Sequence, residues 1–522
     1  MSRVLVVTAD VLRAQMAGPA MRAWHIAQRL ADEPDHRHEV RLLTTSQYCE
    51  LSSERFEVVA AGPDGVAEAE AWSDVMVLQG YVAMHHPVLG ASEKIIVFDV
   101  YDPLHLETLA LTKGASGPAR EWHVRTSIEA LNNQLLRADF LICASERQRD
   151  LFIGQLCALG RANPFTYDSD PTLRALIDVV PFGLPDESPQ HRAPALRGVV
   201  PGIGPDDDVL VWAGGVYDWF DPLTVIRAVA RVAEHRPSVR LYFMGMQHPN
   251  PDVPPMQMAY DARALADELG VSGNHVFFND GWVEYARRQD YLLEATLGIT
   301  AHFDSAETRF SFRTRDLDYL WAALPVVTTE GDSFAQLVQQ EGLGLCVPPE
   351  DPTALEDALV RILSDKEMAD RCRTRARDVR ERFRWADVLG PLVSFCNDPR
   401  RAPDLVLPLG RPWLDRADAS PVPLPTGDHD GSPSDQPSAE AGAQATEGAS
   451  AGAGAEAGAE DGTKAGASGV TAPPGRPRSL VQLARLHYGQ GGFHQVADRA
   501  ARKTRRILSA AWAACKGTEG ES

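Results

Sequence analysis

The stretch "ETRFSFRTRDLDYLWAALPVVTTEGD", residues 307–332, sets Arg309, Arg313 and Arg315 beside Glu307, Asp316 and Asp318, immediately ahead of a helical pattern and an apolar run. The run "LPVVTT" has the length and Val/Thr content of a strand buried on both faces, and Tyr319, Leu320 and Trp321 read as the core side of the helix before it. A helix feeding a doubly buried strand is half of a βαβ unit. Charge this dense at the helix entrance has two explanations, ion pairs in solvent or a site for an anion, and the stretch alone leaves both open.

The same alternation extends outward through most of the chain. Toward the C-terminus of this stretch come "GLGLCVPPEDPTALEDALVRILSD" and an arginine-rich helix near 366–396; before it come "DDVLVWAGGVYDW" (207–219), "VRLYFMGM" and "NHVFFNDGWV", separated by helical segments. From residue 1 to about 190 a second series begins "RVLVVTAD" and "AMRAWHIAQRLADE", and continues through "HEVRLLTT", "DVMVLQG" (74–80), "KIIVFDVYD" (94–102), "DFLICAS" (139–145) and "IDVVPFGLPDE" (177–187). The Pro/Gly-rich end of the last segment predicts a hinge. Two Rossmann-like halves, 1–190 and 191–396, are expected to face each other across a cleft at the carboxyl ends of their strands, where ligands bind.

At 522 residues two or more domains are expected. The formal charge of -21 argues against a nucleic-acid partner for the chain as a whole. Seven scattered cysteines, without a CxxC pair, predict a reducing compartment and no structural zinc. No run of about 18 apolar residues and no signal-like N-terminus is visible, so a cytoplasmic location is expected. Residues 415–478, rich in Ala, Gly, Ser, Pro and Glu, predict a disordered acidic linker. Residues 479–516 reverse the charge: Phe493, Val496, Ile507, Leu508 and Trp512 oppose Arg499, Arg502, Lys503, Arg505 and Arg506 on one helical period. This basic amphipathic helix suits peripheral contact with an anionic membrane or a partner protein, or simple packing at the chain end.

In a doubly wound domain the turn after the first strand presents N–H groups to a phosphate. "WAGGVYDWFDP" places Gly214 and Gly215 there, a weak signal because ordinary tight turns look the same.

"FSFRTRDLDYLWAALPVVTT", with "AGPAMRAWHIAQRLA", "RADFLICASERQRDL", "VVPFG", the "GG" turn, "GWVEY" and "PPEDPTALEDALVRIL", resembles family 4 (group 1) glycosyltransferases of the GT-B fold over residues 1–396. The resemblance implies a nucleotide-sugar donor site in the second half. Asp318 stands where the family's second acid meets the ribose hydroxyls. The first acid falls on Phe310, so Glu307 is the nearest substitute, and Ser311 and Phe312 match the turn whose N–H groups meet the diphosphate. Trp282 and Val283 match the base-binding position. The family's Arg and Lys after the first strand are replaced here by Gly215 and "YDWFDP", so Arg313 and Arg315 are expected to supply the missing diphosphate clamp.

By the same resemblance the first half binds the acceptor, a saccharide or a lipid-linked glycan. Gly18, Pro19 and Arg22 form its glycine-bearing loop and helix entrance, and Gln79 ends another strand. Asp99, Asp102 and His105, with Glu107, follow a buried strand in "FDVYDPLHLETL"; the first three are catalytic candidates and Glu107 an acceptor contact, although helix-capping carboxylates would read similarly. The implied reaction is transfer of a sugar with retention, without a cofactor or metal, in cell-surface polysaccharide or glycolipid assembly. A different GT-B enzyme such as an epimerase, and a catalytically silent nucleotide-binding scaffold, are the alternatives.

Overall fold

The computed structural model describes residues 2–34, 38–253 and 256–406. The acidic segment 415–478 and the basic amphipathic segment 479–516 lie outside the described residues.

The first half is a parallel seven-stranded sheet built from β1 (Arg3–Thr8), β2 (Glu39–Thr44), β3 (Glu57–Ala60), β4 (Val75–Gln79), β5 (Ile95–Asp99), β6 (Phe140–Cys143) and β7 (Ile177–Val179). Their spatial order is β3-β2-β1-β4-β5-β6-β7. The second half holds β8 (Asp208–Trp212), β9 (Val239–Phe243), β10 (Val276–Phe278), β11 (Leu297–Thr300), β12 (Val326–Thr329) and β13 (Gly344–Val347), ordered β10-β9-β8-β11-β12-β13 and again all parallel. Helices cover both faces of each sheet, which is why the central strands are apolar without alternation: Val4 to Val7 of β1 and Val209 to Trp212 of β8 are wholly buried. The flanking helices carry the matching stripe, as in Gly18–Ala31, which buries Ala20, Ala23, Ile26, Ala27 and Leu30.

In each sheet the strand order reverses beside the first strand, between β1 and β4 and between β8 and β11. The crevices beyond those strand ends are where ligands settle in such sheets. At the second reversal the opening stretch does structural work. The ring of Tyr319 packs so closely on Gly298 of β11 that a Cβ there would overlap it. Its hydroxyl accepts from the Ala213 N–H at 2.9 Å and lies 2.8 Å and 3.0 Å from the Ile299 and Val211 carbonyls, tying β8 to β11.

Two features differ from expectation. β3 was not anticipated, because "EVVA" is an edge strand with exposed ends and half-buried centre, too short and too polar at its flanks to stand out. The arginine-rich segment near 366–396 is not one helix: it divides into Lys366–Arg380, Trp385–Val388 and Gly390–Asn397. The last two cross back onto the first half, where Trp385 stacks on His25, Phe395 stacks on Phe140 and Arg401 pairs with Asp139 at 3.0 Å. The covering helices are therefore shared between the two halves.

Candidate functional site

A pocket of about 790 Å³, counting its open mouth, lies between the halves and is lined by Gly18 and Met21 from the first and by Gly214, Gly215, Trp282, Val283, Arg288, Thr314, Arg315 and Asp318 from the second. Its floor is the β8 turn. Gly214 has φ +79°, a conformation that disfavours side chains, and a Cβ on Gly215 would press on the Trp282 and Tyr217 rings at 3.0 Å. Trp282 reaches this place because residue 282 pairs with Gly245, beyond β9, in an antiparallel bridge. His248 lies at a tilt to its ring with centroids 5.9 Å apart.

The two arginines expected to form a clamp have different fates. Arg313 is consumed: its two terminal nitrogens donate to Glu307 at 3.0 Å and 2.7 Å, and both side chains are buried. Glu307 also accepts from the Ser311 hydroxyl. Neither Arg313 as a free clamp nor Glu307 as a free acid is therefore presented. The Ser311 N–H is taken as well, donating 2.9 Å to the Glu307 carbonyl at the helix end, so it does not face a diphosphate. Phe312 is half-buried and packs against the main core.

Arg315 is the opposite case. It is buried at the first turn of helix Thr314–Trp321, lies 3.9 Å over the Phe220 ring and donates one hydrogen bond, 2.8 Å, to the Gly215 carbonyl. Its other terminal nitrogen, Nη1, has no partner, and no carboxylate pairs with it among the described residues. Burial lowers its pKa to about 10, leaving it charged at neutral pH. A buried guanidinium without a counter-ion, seated against a glycine turn, is an anion site in need of an anion.

Asp318 lines the pocket and accepts from Arg288 Nε at 3.0 Å. Arg288, sandwiched 3.7 Å over Tyr285 and 4.4 Å over Trp321, was not anticipated: it lies 30 positions from Asp318 in an unremarked "RRQDY".

Beneath Arg315 sits a buried acid, Asp316, whose two oxygens both lack hydrogen-bond partners. Burial, reinforced by Asp332, holds its pKa well above the usual carboxylate range against the opposing pull of Arg315 and Arg313. Asp332, which caps helix Ser333–Glu341, is raised by burial to about 6. His302 Nε2 approaches Asp332 Oδ2 at 3.2 Å without hydrogen-bond alignment, and burial keeps this imidazole neutral. Acids raised in the folded state stabilise it fully below their unfolded value of 3.8, and that contribution is lost as pH rises, by about pH 6 for Asp332 and beyond that for Asp316. Asp316→Asn, which mimics the neutral acid, is expected to raise the melting temperature relative to wild type more at pH 8 than at pH 5. Equal shifts at both pH values would show that Asp316 is already charged at pH 5.

On the first-half side, Asp99 ends β5 with both oxygens occupied. Arg22 donates from Nε at 2.6 Å and Nη2 at 2.9 Å, and Gln79 donates at 3.0 Å. Arg22 spends its remaining donors on the Pro181 and Val180 carbonyls. These three residues hold the wall together from behind, and a catalytic role for Asp99 or an acceptor contact by Arg22 has no free polar atom to rest on. Gly18 faces the pocket, while Pro19 forms the first turn of its helix. Asp102 is half-buried and burial raises it to about 7, with Asp99 and Glu307 adding to the rise and Tyr101 opposing it. Glu107 is raised well above its usual value by burial and by Asp102 and Glu307. His105 is kept neutral by burial, with its Nδ1 unpartnered. Asp10, just past β1, is buried and its Oδ2 has no hydrogen-bond partner. The acid immediately beyond the first strand was its only signal.

Residues 207–365 match the family model described as glycosyl transferases group 1. The second half is a group 1 glycosyltransferase domain. The group 1 match begins one residue before β8 and ends just past helix Pro352–Ser364, so it contains the glycine turn, Arg288, Arg315 and Asp318. No curated protein sequence matches the chain. Among solved structures, sucrose-phosphate synthase from Thermosynechococcus elongatus is similar with TM-score 0.55 at 15% identity, covering 76% of this chain and 98% of its own. WaaG, a glycosyltransferase involved in lipopolysaccharide biosynthesis, gives 0.53 at 18%, covering 76% and 100%. Anabaena HepE in complex with UDP-glucose gives 0.52 at 13%, covering 76% and 99%. At such identities the likeness establishes the fold, GT-B, over both halves. No described helix is long and apolar enough to cross a membrane.

Proposed function

We propose that the protein transfers a sugar from a nucleotide diphosphate to an acceptor hydroxyl. The observation that carries this reading is Arg315, a buried cation without a counter-ion, inside a group 1 domain and against the glycine turn where a diphosphate would lie. The base would pack beside Trp282 and Val283 and the ribose would reach Asp318. As the acceptor oxygen bonds to the anomeric carbon, the bond from that carbon to the diphosphate oxygen breaks, and the acceptor's proton is passed to the departing phosphate or to a cleft carboxylate. Arg315 and the N-terminus of helix Thr314–Trp321 stabilise the charge that develops on the leaving group, so this reading assigns no metal. UDP-glucose bound to HepE makes UDP-sugars the first donors to test. Retention at the anomeric carbon is part of the proposal, on the strength of the family resemblance.

Incubation with a panel of UDP-, GDP-, ADP- and dTDP-sugars is expected to release one nucleoside diphosphate and, with an acceptor, to give a product of unchanged anomeric configuration by NMR. Binding without turnover of any donor would favour a scaffold instead, a reading to which Phe310 in the place of the first family acid lends weight.

A further inference from the structure

Asp318 and Arg288 both line the pocket, and Asp318 follows Arg315 by three positions on helix Thr314–Trp321. Residues so spaced on a helix are neighbours on one face, with Cβ atoms about 5–6 Å apart. An anion held at Arg315 therefore meets Asp318 next along the helix, as a 5′-diphosphate continues into its pentose.

The Arg288–Asp318 pair is held on all sides but one. Arg288 Nε donates 3.0 Å to Asp318 Oδ1 and Nη1 donates 2.7 Å to the Tyr285 carbonyl. Its guanidinium is clasped between two rings, 3.7 Å from the centre of Tyr285 and 4.4 Å from that of Trp321. Both rings are fixed in turn. The Tyr285 hydroxyl lies 2.9 Å from His25 Nε2 of the first half, and Trp321 Nε1 donates 2.9 Å to the Glu187 carbonyl. What is left over is one acceptor and one donor: Asp318 Oδ2 and Arg288 Nη2 make no hydrogen bond among the described residues, and the Asp318 side chain keeps 21% of its surface exposed. The Arg22–Asp99 pair is the contrast. Neither of its side chains is exposed, and both carboxylate oxygens are taken by the one guanidinium. An ion pair serving the fold alone closes in that way, whereas Arg288–Asp318 stays open beside the pocket that both residues line.

We infer that Arg288 is a positioning and specificity-determining residue for the donor. It fixes Asp318 so that the pair reads the vicinal hydroxyls of a ribose, which selects ribonucleotide donors over 2′-deoxyribonucleotide ones such as dTDP-sugars. This rests on the glycosyl-transfer reading above and narrows its donor. A hydroxyl both donates and accepts, so a cis diol satisfies the free carboxylate oxygen and the free guanidinium nitrogen together. A 2′-deoxyribose leaves one of them unpaired in a partly desolvated place.

The test is calorimetry of the full chain with UDP, GDP and ADP and with the 2′-deoxy form of each, so that only the 2′-hydroxyl changes. Thymidine diphosphate is avoided because it also adds a 5-methyl group. The nucleotide that binds is expected to do so about tenfold or more tightly than its deoxy form. In Arg288→Met the ratio is expected to fall toward unity, and in Arg288→Lys to recover in part, since an ammonium can still hold Asp318 but lacks the planar fork. Asp318→Asn is expected to lose the ratio as well. Each variant is verified as folded by circular dichroism. Equal binding of the two forms by wild type, or a ratio unchanged in Arg288→Met while both affinities fall, overturns the inference and leaves the donor reading standing. If Arg288→Met does not fold, an unchanged ratio in Asp318→Asn overturns it. Absence of binding by every nucleotide overturns the donor reading and this inference with it.

Discussion

Arg315→Ala is expected to weaken nucleoside diphosphate binding by about 2 kcal/mol, or roughly 30-fold, the loss typical of a charge-assisted contact to phosphate. Arg313→Ala should behave differently. Arg313 is bound at both ends of its fork to Glu307, and removing it strands a buried carboxylate, so its cost should fall on stability more than on affinity. Arg315, with Nη1 unpartnered, has a donor to lose only when a ligand is present. Calorimetry on both variants at one salt concentration, with melts of the unliganded proteins, separates the two outcomes. Arg315→Lys is expected to recover part of the affinity, since an ammonium restores charge without the planar fork. If Arg315→Ala binds every nucleotide as wild type does, the anion site is elsewhere.

Asp99→Ala is expected to destabilise the protein by about 3–5 kcal/mol, the cost of leaving a fully buried guanidinium without its partner. The Arg22–Asp99 pair has no exposed side-chain surface, and Arg22 also holds the Val180 and Pro181 carbonyls at the entry to the interdomain connection. Loss of this pair should loosen the first-half wall and the connection together. The paired replacement Arg22→Met with Asp99→Leu removes both charges and should cost much less, an outcome that a reacting carboxylate at Asp99 would not permit for activity. Denaturant unfolding of the single and double variants, with turnover measured on whichever stay folded, distinguishes a structural pair from a catalytic acid. A single variant of normal stability and no turnover would return Asp99 to the chemistry.

The contrast between these two arginines shows where local reading reached its limit. Residues 313 and 315 lie in one turn, carry the same group and have acids on either side. Nothing in their order says that the fork of 313 closes on Glu307 while 315 turns toward Gly215, 100 positions earlier. Arg288 and Asp318 were similarly separated in the chain, 30 positions apart. By contrast the strands were legible wherever both faces are covered, because a doubly buried strand must be apolar along its whole length. β3 escaped because an edge is not held to that condition.

The sequence by itself determined the two parallel sheets, the cleft at their carboxyl ends and the glycine turn beyond β8, since hydrophobic periodicity and turn chemistry act over a few neighbouring residues. Only the tertiary structure decided which charges are paired and which are left over. Coulomb and hydrogen-bond energies depend on separations of a few ångströms and on burial, and residues far apart in the chain set both. It is that remainder, above all the unpartnered Arg315 against the glycine turn, that marks the site.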